Sequence, residues 1–223
     1  MSFAPNPSKA WQAGHPWASV YDYFVERESL ARVAGRLVFN TDTRLLYEAI
    51  DSVGELPQGS TVLDIPVGGG VALRGLRPGQ GIRYVAADIA PEMLERASRV
   101  AHERGLEDQV EVREADVERL PFESGEFDRV LSFAGLHCFP DPRAAVLEIA
   151  RVIRPGGRFT GSVFLTDRGL RYRPMVLGGR IAGVMGPSGS RADLDGWLRE
   201  ARFRRVRIEL SGAIAYFTAT KPA

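Results

Sequence analysis

Three aspartates, Asp64, Asp88 and Asp116, each close a short apolar run, and the first leads directly into Ile65-Pro66-Val67-Gly68-Gly69-Gly70. Val62-Leu63 precedes Asp64, Val85-Ala86-Ala87 precedes Asp88, and Val110-Glu111-Val112 leads towards Asp116. Runs of this length and composition read as strands. A strand that enters a glycine turn and then an apolar turn of helix, here Val71-Ala72-Leu73, is the geometry of a nucleotide pocket in a doubly wound α/β sheet. Glycine suits that turn because a side chain would hold the backbone off a ligand and because tight turns use positive φ. Asp88, about 24 residues beyond Asp64, is placed to accept hydrogen bonds from ribose hydroxyls. Asp116 and the backbone of Val117 suit the exocyclic amine of adenine, and Asp64 suits a ligand ammonium group, directly or through water. Any one of these acids alone is equally a helix cap or a turn former. Three in succession after consecutive strands point to one nucleoside-like ligand.

That ligand is not specified as a dinucleotide. GxGxxG read from Gly68 requires glycine at position 73, which is Leu73, and no GxxxxGK[ST] phosphate loop occurs in the chain. His137 is the histidine placed among the strand ends, and an unperturbed imidazole is a general base suited to neutral pH; a structural wall is the alternative role. His15 and His102 read as surface residues, and the lone Cys138 reads as core. A single cysteine excludes an internal disulfide and a cysteine-rich zinc site, so no metal is expected.

The elements that must position these residues alternate. Residues 1–58 read as a helical N-terminal cap, with proline-rich residues 1–16 followed by amphipathic spacing and a dense set of aromatics, Trp11, Trp17, Tyr21, Tyr23 and Phe24. These anchor the cap to the core, or Tyr21 and its neighbours close over the ligand as a lid. Thr41 or Asp42 is placed to cap a helix ending near Gly54. Residues 59–165 form the ligand-binding core: a short helix to about Leu76, a strand ending at Asp88, a helix from Pro91, a strand over 110–112, a strand over 127–133, a helix from Pro142 to Val152, and a strand over 158–164. Residues 166–191, rich in Gly and Arg, read as a substrate-side insertion of loops and short helices. Residues 192–223 supply a closing helix and two strands joined at Ser211-Gly212, a connection short enough to require an antiparallel pair. The whole reads as a single α/β domain of 223 residues with a mostly parallel sheet. Net charge of +1 offers no overall electrostatic case for nucleic acid or an anionic membrane. No signal peptide or membrane-length apolar run is visible, so a soluble cytoplasmic protein, monomer or homodimer, is expected.

In order along the chain, Val62–Gly70, Val85-Ala86-Ala87-Asp88-Ile89-Ala90-Pro91-Glu92-Met93-Leu94, Glu114-Ala115-Asp116-Val117-Glu118-Arg119-Leu120-Pro121-Phe122, Phe127-Asp128-Arg129-Val130, Leu136–Pro142 and Arg151–Gly157 resemble the S-adenosylmethionine (SAM) binding core of the small-molecule class I methyltransferases. The resemblance implies a doubly wound sheet of seven strands, the last antiparallel. It implies SAM contacts from Asp64, Pro66, Val67, Gly68 and Gly70, with ribose at Asp88 and adenine at Asp116 and Val117 between Ile89 and Met93. Phe133 then lies near the methionine part, with Tyr21 as the lid candidate and His137 as the candidate base. Pro66 departs from the pattern, standing where the first glycine belongs and having no N–H to donate. The implied reaction is methyl transfer to O, N or C of a small, partly apolar or aromatic acceptor, releasing S-adenosylhomocysteine. Alternatives on the same fold are a non-catalytic SAM-binding regulator or partner subunit, an aminopropyl transferase and a NAD-linked oxidoreductase. The missing third glycine and the absence of Tyr-x-x-x-Lys count against the last. The Pro-Cys and Asn/Asp-Pro-Pro-Tyr patterns of nucleic-acid methylation are also absent.

Overall fold

The computed structural model describes residues 28–223. Tyr21 and the other aromatics before Glu28 lie outside the described residues, as does His15. Helix α1 (Glu28–Ala34) runs into a π-turn (Gly35–Phe39), and α2 (Arg44–Asp51) follows. The strands are β1 (Thr61–Asp64), β2 (Arg83–Asp88), β3 (Val110–Glu114), β4 (Phe127–Phe133), β5 (Ile153–Phe164), β6 (Arg204–Ser211) and β7 (Ile214–Thr220). Between them stand α3 (Pro91–Glu103), α4 (Pro142–Val152), α5 (Arg173–Ile181) and α6 (Arg191–Glu200). They form one seven-stranded sheet in the order β3-β2-β1-β4-β5-β7-β6. β1 to β5 are parallel, and β7 inserts antiparallel between β5 and β6. This is the topology that the resemblance implies.

Side chains alternate across each strand, so neighbouring residues feed different layers. Leu63, Val85 and Val130 pack with Val146 and Ile149 of α4 and Leu194 and Leu198 of α6. Val62, Tyr84, Ala86 and Leu131 pack on the other face with Leu46 and Ile50 of α2 and Ala97 and Ala101 of α3. A parallel sheet covered on both faces needs apolar residues at consecutive positions, which is why Val62-Leu63 and Val85-Ala86-Ala87 read as unbroken runs. Residues such as Ile50 and Leu63, with no exposed surface, contribute roughly 1.5–3 kcal/mol each by burial.

Helix starts follow local chemistry. Pro91 and Pro142 occupy first-turn positions, Asp141 Oδ1 accepts the Ala144 N–H (2.9 Å), and Ser190 with Asp193 forms a capping box. Three local expectations change. The segment after the glycine loop is a five-residue 3-10 turn, Val71–Gly75, because Pro78 disfavours helix at Arg77 and leaves too few residues for a stable α-helix. The residue flanking α2 is Thr43, while Asp42 Oδ1 accepts the Arg44 N–H. β5 begins at Ile153, so Pro155-Gly156-Gly157 lies within an irregular stretch of strand where its register against β4 shifts. Among the described residues no helix is long and apolar enough to cross a membrane.

Candidate active site

Parallel strands deliver their carboxyl ends to one edge of the sheet, about 4.8 Å apart from neighbour to neighbour. The order β3-β2-β1-β4-β5 therefore lays Asp116, Asp88, the glycine loop, the 133–138 loop and Phe164 in a row along that edge.

Asp88 is the hub. It is buried, its Oδ2 accepts the Gly68 N–H (3.0 Å), and its Oδ1 accepts the Ala90 N–H (3.0 Å). Two backbone amides, one on each side, thus hold the carboxylate at the carboxyl end of β2. Asp116 is exposed, with Oδ1 accepting the Glu118 N–H (3.0 Å), so an Asx turn fixes the carboxylate just beyond β3. Val117, the next residue, is buried, as is Met93 of α3, and Ile89 is half-buried.

The glycine loop uses most of its amides internally. The Val67 N–H donates to Ala87 O (2.8 Å), Gly68 to Asp88, and Gly70 to Val67 O (3.0 Å), while Pro66 has none. A phosphate site directs its amides outwards at the anion. This loop instead offers surface: Gly68 has φ +52° and a Cβ there would meet no atom within 4 Å, leaving room for a ligand. Gly70 serves a different purpose. At φ +86°, its missing side chain lets Ala97 and Val100 of α3 approach the turn. Gly68 thus faces open space, while Gly70 packs against α3.

Asp64 is buried and accepts the Tyr84 hydroxyl on Oδ2 (2.8 Å). Burial drives its carboxyl up to about 7, against the opposing effect of the Tyr84 bond and with added repulsion from Asp88. Burial likewise raises the Tyr84 phenol well above its usual value. A cationic ligand group nearby would favour ionised Asp64.

The β4 end carries features that sequence reasoning missed. Ala134 adopts φ +55°, held by its N–H donating to Ser162 O (3.0 Å) and Oγ (3.1 Å). Alanine carries no sequence signal for that conformation. A Cβ on Gly135 would fall 2.3 Å from Pro66 Cδ and 2.6 Å from Ser132 Oγ, so the proline ring fills the space that Gly135 leaves. The departure at Pro66 and the glycine at 135 are thus one packing device joining the β1 and β4 loops. Phe133 is buried in the core layer beneath them.

His137 is half-buried and its Nδ1 accepts the Phe164 N–H (3.3 Å), with the rings meeting edge to face at 6.2 Å. Desolvation lowers its pKa from 6.5 to about 4. At neutral pH it is uncharged, and with Nδ1 accepting, the proton resides on Nε2. The Cys138 thiol donates to Ala134 O (3.6 Å), and burial, with the Asp88 charge, pushes it up to about 12. Burial and the Asp88 charge thus both disfavour the thiolate. Phe164 continues the aromatic chain to Tyr172 (5.7 Å) and Phe39 (6.1 Å), and the Tyr172 hydroxyl donates to Phe39 O (3.0 Å). Met175, Val176 and Met185 pack against the same cluster. The cap end and the insertion thus meet beside His137.

Along this edge stand exposed Asp116, amide-bound Asp88, open space at Gly68, and buried Asp64 bonded to Tyr84. Comparisons with known proteins identify the family. Residues 63–160 match the family model described as methyltransferase domain. A demethylmenaquinone methyltransferase of Thermus thermophilus is 38% identical over 162 residues, covering 67% of this chain and 72% of that one. An uncharacterised chloroplastic methyltransferase of Arabidopsis thaliana is 34% identical over 178 residues, 74% of this chain, although the match spans only 49% of the plant protein. A geranyl diphosphate methyltransferase solved with SAM superposes with a TM-score of 0.68 at 16% identity, covering 95% of this chain and 94% of that one, a likeness of fold. The chain belongs to the class I SAM-dependent methyltransferases, and SAM is its cofactor.

Proposed function

We propose that the chain methylates a small acceptor with a substantial apolar or aromatic part, held between the 133–138 loop and the insertion. The observation that supports this reading is the packed cluster of Phe164, Tyr172 and Phe39 with His137, Met175 and Met185 at the carboxyl end of β5. Aromatic and thioether side chains favour flat or hydrocarbon ligands over ionic ones. The relatives support the same reading, since demethylmenaquinone and geranyl diphosphate, named for two of them, both carry isoprenoid hydrocarbon.

Bound SAM supplies a methyl group on a positively charged sulfur, already activated for transfer. The chain's own residues then align and exclude water. Asp88 and Asp116 fix the nucleoside end, and the packed Pro66–Gly135 contact sets the spacing between cofactor loop and acceptor wall. His137 suits a donor better than a base: the Nδ1 lone pair is engaged by Phe164, and Nε2–H remains to orient an acceptor oxygen. Transfer of labelled methyl from SAM to a panel of phenols and quinols with and without isoprenoid tails tests the proposal. Label recovered in the organic phase is expected. Transfer confined to free amino acids or nucleosides overturns it.

A further inference from the structure

Among the described residues the exposed large apolar side chains are Val33, Leu37, Val38, Leu170, Leu177 and Ile181. All six lie on two segments, α1 with its π-turn and the insertion between β5 and α6. The two segments are joined through the Phe39–Phe164–Tyr172 contacts. Both segments have a settled inner face. Ala31 and Gly35 are buried in the first, and a Cβ on Gly35 would lie 2.9 Å from Thr43 Cγ2. In α5, Met175 and Val176 pack on the aromatic cluster, and Gly179 abuts Met185. The outer faces repeat one composition. Arg32, Val33, Arg36 and Leu37 are exposed on the first, and Arg173, Leu177, Arg180 and Ile181 are exposed on α5 at helical spacing. Arg168, Leu170 and Arg171 add to the second patch.

The charge is segregated. Residues 28–39 and 165–190 hold six arginines and two carboxylates, a net +4, in a chain whose total is +1. The near-neutral total conceals this asymmetry. Arg168 donates to Gly212 O, Arg171 to the Tyr172 hydroxyl and Arg180 to Pro187 O, bonds that leave their positive charge uncancelled. Leucine and isoleucine between exposed arginines form a surface that an aqueous environment does not favour and that an anionic lipid interface does.

We propose that this face docks the protein on the surface of a bilayer carrying anionic lipids, with Leu37, Leu170, Leu177 and Ile181 entering the headgroup boundary and the arginines meeting lipid phosphates. This goes beyond the acceptor reading and does not depend on it. Both segments pack their inner sides on the Phe164–Tyr172 cluster, so the outer sides proposed to dock are carried by the same assembly.

The test is co-sedimentation of the full chain with vesicles of phosphatidylcholine alone or with about 30% phosphatidylglycerol, at low and high salt. Sedimentation with the anionic vesicles only, reversed by salt, is expected. At about 1 kcal/mol per arginine near the surface, the double variant Arg173→Glu and Arg180→Glu lowers partitioning at least about 25-fold. Leu177→Asp with Ile181→Asp, and separately Leu37→Asp on the other segment, weaken it while calorimetric SAM affinity stays unchanged. If one variant also loses SAM binding through misfolding, the variant on the other segment decides. Wild-type protein left in the supernatant, or variants that sediment like wild type, overturns the proposal. A wild-type dimer in light scattering that Leu177→Asp splits also overturns it, because the face then belongs to a second copy.

Discussion

The two halves of the sheet edge are built by different means. The part over β1 to β3 is made of carboxylates bound to backbone amides: Asp88 binds those of Gly68, 20 residues before it, and Ala90, and Asp116 binds the amide of Glu118, two residues on. The part beyond β4 and β5 is made of aromatic contacts, with Phe164 meeting His137, and Tyr172 reaching Phe39 from 133 residues away. The first half is polar and pinned by hydrogen bonds, and the second is aromatic and assembled from the cap end and the insertion.

The largest effect that would sharpen this contrast is expected at Asp88. Asp88→Ala removes two charge-assisted hydrogen bonds and orphans two amides, so stability falls by about 3 kcal/mol or more and SAM affinity at least about 100-fold, read by denaturant unfolding and calorimetry. Asp64 comes next. Its carboxyl titrates near 7 when folded against 3.8 ordinarily, so the folded state binds the extra proton between these values. Stability therefore falls as pH rises through that window and levels above it, by up to about 4 kcal/mol from this group. Asp64→Asn should flatten that slope in unfolding measured across pH 4 to 8, and an unchanged slope would remove Asp64 from the account. Gly135→Ala drives a methyl into Pro66 and should cost about 1–3 kcal/mol in thermal or denaturant unfolding. For His137→Gln a loss in kcat under about tenfold is expected, with no inflection near the ordinary histidine pKa; a general base would lose roughly 100-fold or more. The smallest effect is expected at Pro66→Gly, which should bind SAM within about threefold of wild type, since Pro66 packs and does not donate.

The same contrast decides what could be read from the residues alone. The strand ends, the three acids and the helix caps are local patterns, and the parallel sheet with its antiparallel β7 follows from their order. The 3-10 turn after Gly70 was legible in principle from Pro78, whose effect on Arg77 leaves no room for a helix. Glycine type alone did not separate Gly68, which faces open space, from Gly70, which faces α3, because both have positive φ. The conformation of Ala134 and the fit of Pro66 to Gly135 depend on contacts between β1 and β4 that no spacing encodes. His137 was legible as a residue among the strand ends, but its tautomer depends on Phe164, 27 residues on, and its lowered pKa on burial. The segregated arginines were hidden by summing charge over the whole chain.

The division of labour between the two halves is tested most directly by measuring SAM affinity and methyl transfer in Phe164→Leu beside Asp88→Ala. The expected result is that Phe164→Leu retains SAM affinity within about twofold of wild type while transfer to its acceptor falls, whereas Asp88→Ala loses both. Equal loss of SAM binding in the two variants would contradict the account, because the aromatic wall would then be part of the cofactor site.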